Sequence, residues 1–149
     1  MPDFKDSQTL GNLVEQFSRD AQSIVRYLLF ARAAEYEGLR EAADLFRRLA
    51  QNEAVYAEGH LEFIREAYDP VSGQMFGETA DNLAAAVFSE EEDVAGLDPD
   101  YARIAESEGL GAIASWLRTV ALAKRDHLGR LRAISRVTVP AEHAEARES

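Results

Sequence analysis

The sequence predicts an all-α fold: four helices forming two similar hairpins, joined by one long crossover. Three observations predict it. Four segments carry apolar residues at three–four spacing, and no stretch alternates convincingly like a strand. The stretch Phe30-Ala31-Arg32-Ala33-Ala34-Glu35-Tyr36-Glu37-Gly38-Leu39 reads again as Tyr101-Ala102-Arg103-Ile104-Ala105-Glu106-Ser107-Glu108-Gly109-Leu110, a match too long for chance composition. Finally, the densest cluster of helix breakers lies between the two halves.

The first helix is expected from about Thr9, a plausible N-cap, to Tyr36, with Gly38 marking its end. The second is expected from about Leu39 to Ala67. The breaker-rich segment from Asp69-Pro70 to Gly77 is the crossover. The third helical stretch begins near Thr79 and is interrupted at Gly96 and Pro99, because proline lacks a backbone donor and disfavours helix in the residue before it. Gly109 closes that stretch, and the fourth helix covers about Leu110 to Arg136. This divides the chain into an N-terminal extension (1–8), a bundle (9–136) and a polar, flexible tail (137–149). Two hairpins related by a pseudo-twofold axis, with one long crossover, form the ferritin-like bundle topology.

The chain of 149 residues fits one domain, and a hydrophobic fraction of 46% argues against global disorder. A formal net charge of -11 argues against nucleic acid and anionic membranes as partners. The absence of cysteine excludes disulfides, zinc ribbons, iron–sulfur clusters and thiol catalysis. With no signal-like start and no spanning apolar run, the expected location is cytoplasmic.

The chemistry lies where the apolar stripes fail. On the first helix, Leu13, Phe17, Ile24, Tyr27 and Ala31 share a face, and Asp20 completes the series. On the second, Ala42, Phe46, Leu49 and Phe63 are interrupted by Glu53, Tyr56 and His60. On the third, Leu83, Val87, Val94 and Leu97 are interrupted by Glu90, with Asp93 beside the seam. On the fourth, Ile113, Leu117, Val120, Leu131 and Ile134 are interrupted by Lys124 and His127. Taken singly, Asp20 reads as a solvated face residue and His60 as a satisfied rim histidine. Interruption of all four stripes near their middles instead predicts a buried polar centre whose charges compensate one another or a bound ion.

The internal repeat pairs Glu53 with Lys124 and Tyr56 with His127, so each half carries part of a Glu-x-x-His pattern on one helix face. On the first and third helices the match slips by one: Asp20 pairs with Glu91 by count but with Glu90 by seam. A bulge, or the break at Pro99, absorbs such a slip.

At this point the sequence resembles the rubrerythrin family's di-iron domain. Asn12-Leu13 through Phe17-Ser18-Arg19-Asp20-Ala21-Gln22 and Arg26-Tyr27 follow its first helix, and Ala50-Gln51-Asn52-Glu53-Ala54-Val55-Tyr56-Ala57 follows its Asn-Glu-x-x-His-Ala stretch. Asn82-Leu83-Ala84-Ala85-Ala86 to Asp93, then Pro99-Asp100-Tyr101-Ala102-Arg103-Ile104-Ala105, resemble its third helix. The resemblance implies iron ligands at Asp20, Glu53, Tyr56, Glu90, Asp93, Lys124 and His127. Glu53, Glu90 and His127 keep the family's residue type, whereas Asp20 and Asp93 are shortened from glutamate. Tyr56 replaces a histidine, Lys124 replaces a metal-bridging glutamate, and Asp98 stands where a tyrosine is common.

The resemblance implies a homodimer and a peroxidase-type oxidoreductase that draws electrons from an external donor, its redox partner. Lys124 alters that expectation. Four acids (Asp20, Glu53, Glu90, Asp93) face a lysine and His127, which two divalent ions would overfill and one nearly balances. Metal is then expected on Asp20, Glu53, Glu90, Asp93 and His127, iron or another divalent ion and at most one, with Tyr56 as a catalytic phenol. The alternative is a metal-free bundle in which Lys124 fills the site by salt bridges and the protein serves as a dimeric interaction module. Trp116 is expected in the core or at a dimer interface, and Glu91 and Glu92 on a solvated face.

Overall fold

A computed structural model describes residues 3–138, and among these it contains helices and turns but no strand. The ends of the expected tail and extension, residues 139–149 and 1–2, lie outside the described residues. The chain divides into two units, with the boundary between Pro70 and Val71, and each contains a helical hairpin. No described helix is long and apolar enough to cross a membrane.

The first hairpin pairs α1 (Gln8–Tyr36) with α2 (Arg40–Ile64). Ser7, two residues earlier than the expected cap at Thr9, caps α1: its hydroxyl accepts from the Leu10 amide at 3.2 Å. Its own hydroxyl proton goes to the Phe4 carbonyl at 2.7 Å, tying a short 3-10 turn (Phe4–Asp6) to the helix start. That turn brings Phe4 against Leu10, Ile64 and Ala67, a small apolar cluster at the open end of the hairpin. Along the seam the buried residues are mostly alanines: Ala31 and Ala34 from α1, and Ala43, Ala50 and Ala57 from α2. The α2 set recurs every seventh residue and continues to Ile64, the spacing that keeps one stripe facing a partner helix. Larger rings fill in beside it, with Tyr27 stacked on Phe46 at 6.1 Å and Phe30 edge-on to Phe46 at 5.5 Å.

The second hairpin pairs α3 (Thr79–Gly96) with α5 (Gly111–Thr138). The expected interruption at Gly96 and Pro99 is a widened turn: a π-helical segment, Leu97–Ala102, leads directly into α4 (Arg103–Ser107). In an α-helix the Pro99 ring would strike the carbonyl four residues back, and Pro99 has no N–H to bond it. A π turn relieves both problems by inserting one residue. This is the slip found in the repeat, and it sits between Glu90 and the point where the two halves return to register.

From that point the halves agree in detail at an interval of 71 residues. Gly38 and Gly109 both have φ +78°. The Leu39 amide bonds the Ala34 carbonyl and the Leu110 amide bonds that of Ala105, each at 2.8 Å. The Gly38 and Gly109 amides bond Glu35 and Glu106 carbonyls, each at 3.0 Å, completing a Schellman close in both hairpins. Arg47 pairs with Glu35 at 2.7 Å, and its counterpart Arg118 pairs with Glu106 at 2.6 Å. The buried Ala102, Ala105, Ala114, Ala121 and Leu128 match Ala31, Ala34, Ala43, Ala50 and Ala57. Trp116, expected in a core or interface, is 65% exposed on its hairpin.

Candidate metal centre

In the first hairpin the seam residues meet around Asp20. Its side chain is buried, with 6% of the residue exposed, and both oxygens are engaged. Gln16, one turn earlier on α1, donates to Oδ1 at 2.7 Å. His60 of α2 places Nε2 3.1 Å from Oδ2. Glu53, two turns before His60, lies close enough to share a hydrogen bond with Asp20. Partial burial, then the negative charge of Asp20, then that bond hold the Glu53 carboxyl above its usual range. These groups, with Tyr56, Val55, Gly59 and Phe63, line an open cleft of about 630 Å³. Tyr56 is half exposed and has no hydrogen bond to the Asp20 cluster.

In the second hairpin the meeting point is Lys124. Its ammonium donates to Asp93 at 2.8 Å and to Glu90 at 3.3 Å. The Asp93 bond above all, and then Glu90, raise its pKa against the opposing effect of burial, so it is an ammonium at neutral pH. His127 approaches the other Glu90 oxygen with Nδ1 at 3.8 Å, an ion-pair distance and too long for a hydrogen bond. Glu91, expected on a solvated face, is exposed and pairs with Arg132, and Glu92 is exposed as well. Asp98 faces Arg118 at 3.4 Å and Arg125 at 3.6 Å.

The expected residues therefore gather in two sets, Asp20 with Glu53, and Glu90 and Asp93 with Lys124 and His127. Of these only Asp20 is fully buried within its own hairpin. His60 was legible as a seam residue but not as a member of the ligand set, and Gln16 was legible as neither. The available signals were spacings: His60 follows Glu53 by seven residues, and Gln16 precedes Asp20 by four, each on a shared helix face.

The two sets differ in their fitness for a metal. Two carboxyls and an imidazole are the oxygen and nitrogen donors that suit a divalent iron, manganese or zinc ion. An ammonium has three N–H donors and no lone pair, so a carboxylate pair already holding one does not fit a dication as well. Among the described residues no three His, Asp or Glu side chains are grouped so as to hold a metal ion as they stand. In the first hairpin the donors are closed on one another by hydrogen bonds.

Paired helical hairpins with carboxylate, imidazole and cation interrupting their seams define a helical carboxylate protein of the ferritin-like class. The rubrerythrin family model matches residues 11–135. The chain belongs to the rubrerythrin family. It is 30% identical over 142 residues to rubrerythrin-1 of Clostridium acetobutylicum, covering 90% of this chain and 73% of that protein. It is 32% identical over 127 residues to the rubrerythrin of Porphyromonas gingivalis, covering 83% and 64%. It is 31% identical over 133 residues to a putative rubrerythrin of Methanocaldococcus jannaschii, covering 80% and 65%. The chain thus spans about two thirds of the length of these relatives.

Proposed function

We propose that this chain is a rubrerythrin-type carboxylate protein retuned to hold at most one divalent ion, iron or a similar metal, in place of a pair. The observation that carries this reading is the contrast between the two hairpins. In one, Lys124 supplies a permanent positive charge to Glu90 and Asp93. In the other, Asp20 and Glu53 are met by the Gln16 amide and the His60 imidazole and by no lysine or arginine among the described ion pairs, and a metal ion can take the place of such partners. The chain itself supplies the cation in the second hairpin and supplies none in the first.

Such an ion, when bound as iron, would supply one electron at a time to peroxide or oxygen, with the remainder drawn from an external donor. On this reading Tyr56 is a phenol beside the centre for proton or electron transfer, and the protein works in the cytoplasm as a homodimer. The Lys124 contacts also favour a second reading, in which the whole centre is metal-free and the protein is a dimeric interaction module.

Elemental analysis of protein expressed with added iron and manganese separates these readings. About one tightly held ion per chain is the expected result and justifies peroxide assays. Two ions would overturn the charge argument, and none, with the helices intact, would favour the interaction module.

A further inference from the structure

We propose that His60, not Tyr56, supplies this chain's nitrogen donor, and that Asp20, Glu53 and His60 form the one-ion site within the first hairpin. The proposal rests on the one-ion reading above and assigns that ion to particular residues. At the position where the family pattern has histidine, this chain has a half-exposed phenol, and a neutral phenol is a poor donor to a divalent ion near pH 7. One turn further along the same face, about 6 Å along the axis, stands His60, whose Nε2 already faces Asp20 at 3.1 Å. The histidine is displaced by a turn, and its partner is the acid carried by α1.

Asp20 gives the set its direction. A buried carboxylate needs compensation: Asp20 accepts from the Gln16 amide at Oδ1, and Asp20, Glu53 and His60 line one cleft, with His60 Nε2 3.1 Å from Oδ2. A divalent ion compensates the same three groups at once, entering from the cleft that they line. Gln16 keeps its bond to Oδ1 and holds the carboxylate with Oδ2 toward His60, the orienting role of an outer-shell partner. All four residues lie on α1 and α2, so the set is complete within one hairpin. His127 offers no equal alternative, because the carboxylate it approaches, Glu90, is already bonded by Lys124.

The test titrates the full-length, metal-stripped protein with cobalt(II) ion, read by visible absorption and by elemental analysis after desalting. Wild type is expected to retain about one ion per chain. His60→Gln, whose amide can still donate to Asp20, should weaken binding at least about tenfold with helical content unchanged. His127→Gln should change it less than about threefold. In the wild-type protein, which needs no variant to fold, cobalt should shift and broaden the His60 imidazole signals and leave those of His127 in place. If wild type retains one ion but His60→Gln binds as tightly, or the broadened ring is that of His127, this assignment is overturned while the one-ion reading stands. If wild type retains no ion, both are overturned.

Discussion

Glu53 and Lys124 occupy equivalent places in the two hairpins and respond to pH in opposite senses. The Glu53 carboxyl is held above its usual pKa of 4.5, first by partial burial and then by Asp20. The folded, metal-free chain therefore binds that proton more tightly than the unfolded chain does. Stability then falls as pH rises from the unfolded value through the folded one, and it stays lower above. Glu53→Gln should raise the melting temperature of metal-free protein at pH 7 by a few degrees, on the order of 1–3 °C. The gain should vanish below about pH 4, where both side chains are neutral; an equal gain at every pH would point to packing instead. Lys124 has a folded pKa above its usual 10.5, so its contribution is complete below that value and is lost only as pH rises through the folded one. Lys124→Met should cost about 1–2 kcal/mol at pH 7 by urea denaturation, because Glu90 and Asp93 are left facing each other. Lys124 was legible in the sequence as a break in an apolar stripe and as the repeat partner of Glu53. The Asp20–His60 bond was not, because it depends on how α1 and α2 slide against each other, and spacing within one helix does not contain that offset.

Between these residues and the molecule lie the elements that place them. The π turn, Leu97–Ala102, rotates everything before it by one residue, about 100° of helix. With it, Glu90 and Asp93 face Lys124; without it, Glu91 would take the place of Glu90. Removing the exposed Asp100 should return the segment to α-helical spacing and cost more than about 2 kcal/mol in urea, well beyond the loss of one surface side chain. A cost below about 0.5 kcal/mol would show that the turn does not set the register. The Schellman closes make a paired case. Gly38→Ala and Gly109→Ala each force an L-residue to φ +78°, which should cost about 1–2 kcal/mol apiece and by similar amounts. Helix limits were legible because caps and breakers are local: Gly38, Gly109 and Pro99 each mark a real feature. What Pro99 does was only half legible, since a proline announces a disturbance and the surrounding packing decides whether the helix ends or widens.

Across the whole chain the governing quantity is charge. The protein carries a net -11; of the acids at the carried-over positions, Asp20 and Glu53 lie in one hairpin, and Glu90 and Asp93 lie with Lys124 in the other. Against four carboxylates, one divalent ion with that ammonium falls one charge short, whereas two ions with it overfill them. Lys124→Glu combined with Tyr56→His reverses the arithmetic, giving five carboxylates, no ammonium and a histidine in the family's place. Two divalent ions then bring the sum back near balance. The double variant should therefore rise from at most one to two irons per chain after anaerobic loading with iron(II), counted by elemental analysis. The single variants locate the cause: Lys124→Glu alone should account for most of the change, since it removes the competing cation, while Tyr56→His alone should leave the count at one. A folded double variant that takes up no iron would mean that the ligand positions inferred from the rubrerythrin pattern are wrong in this chain, whatever wild type binds. A double variant that holds only one would mean that the shortened acids, Asp20 and Asp93, limit the count independently of Lys124, because each side chain is one carbon shorter than the glutamate it replaces.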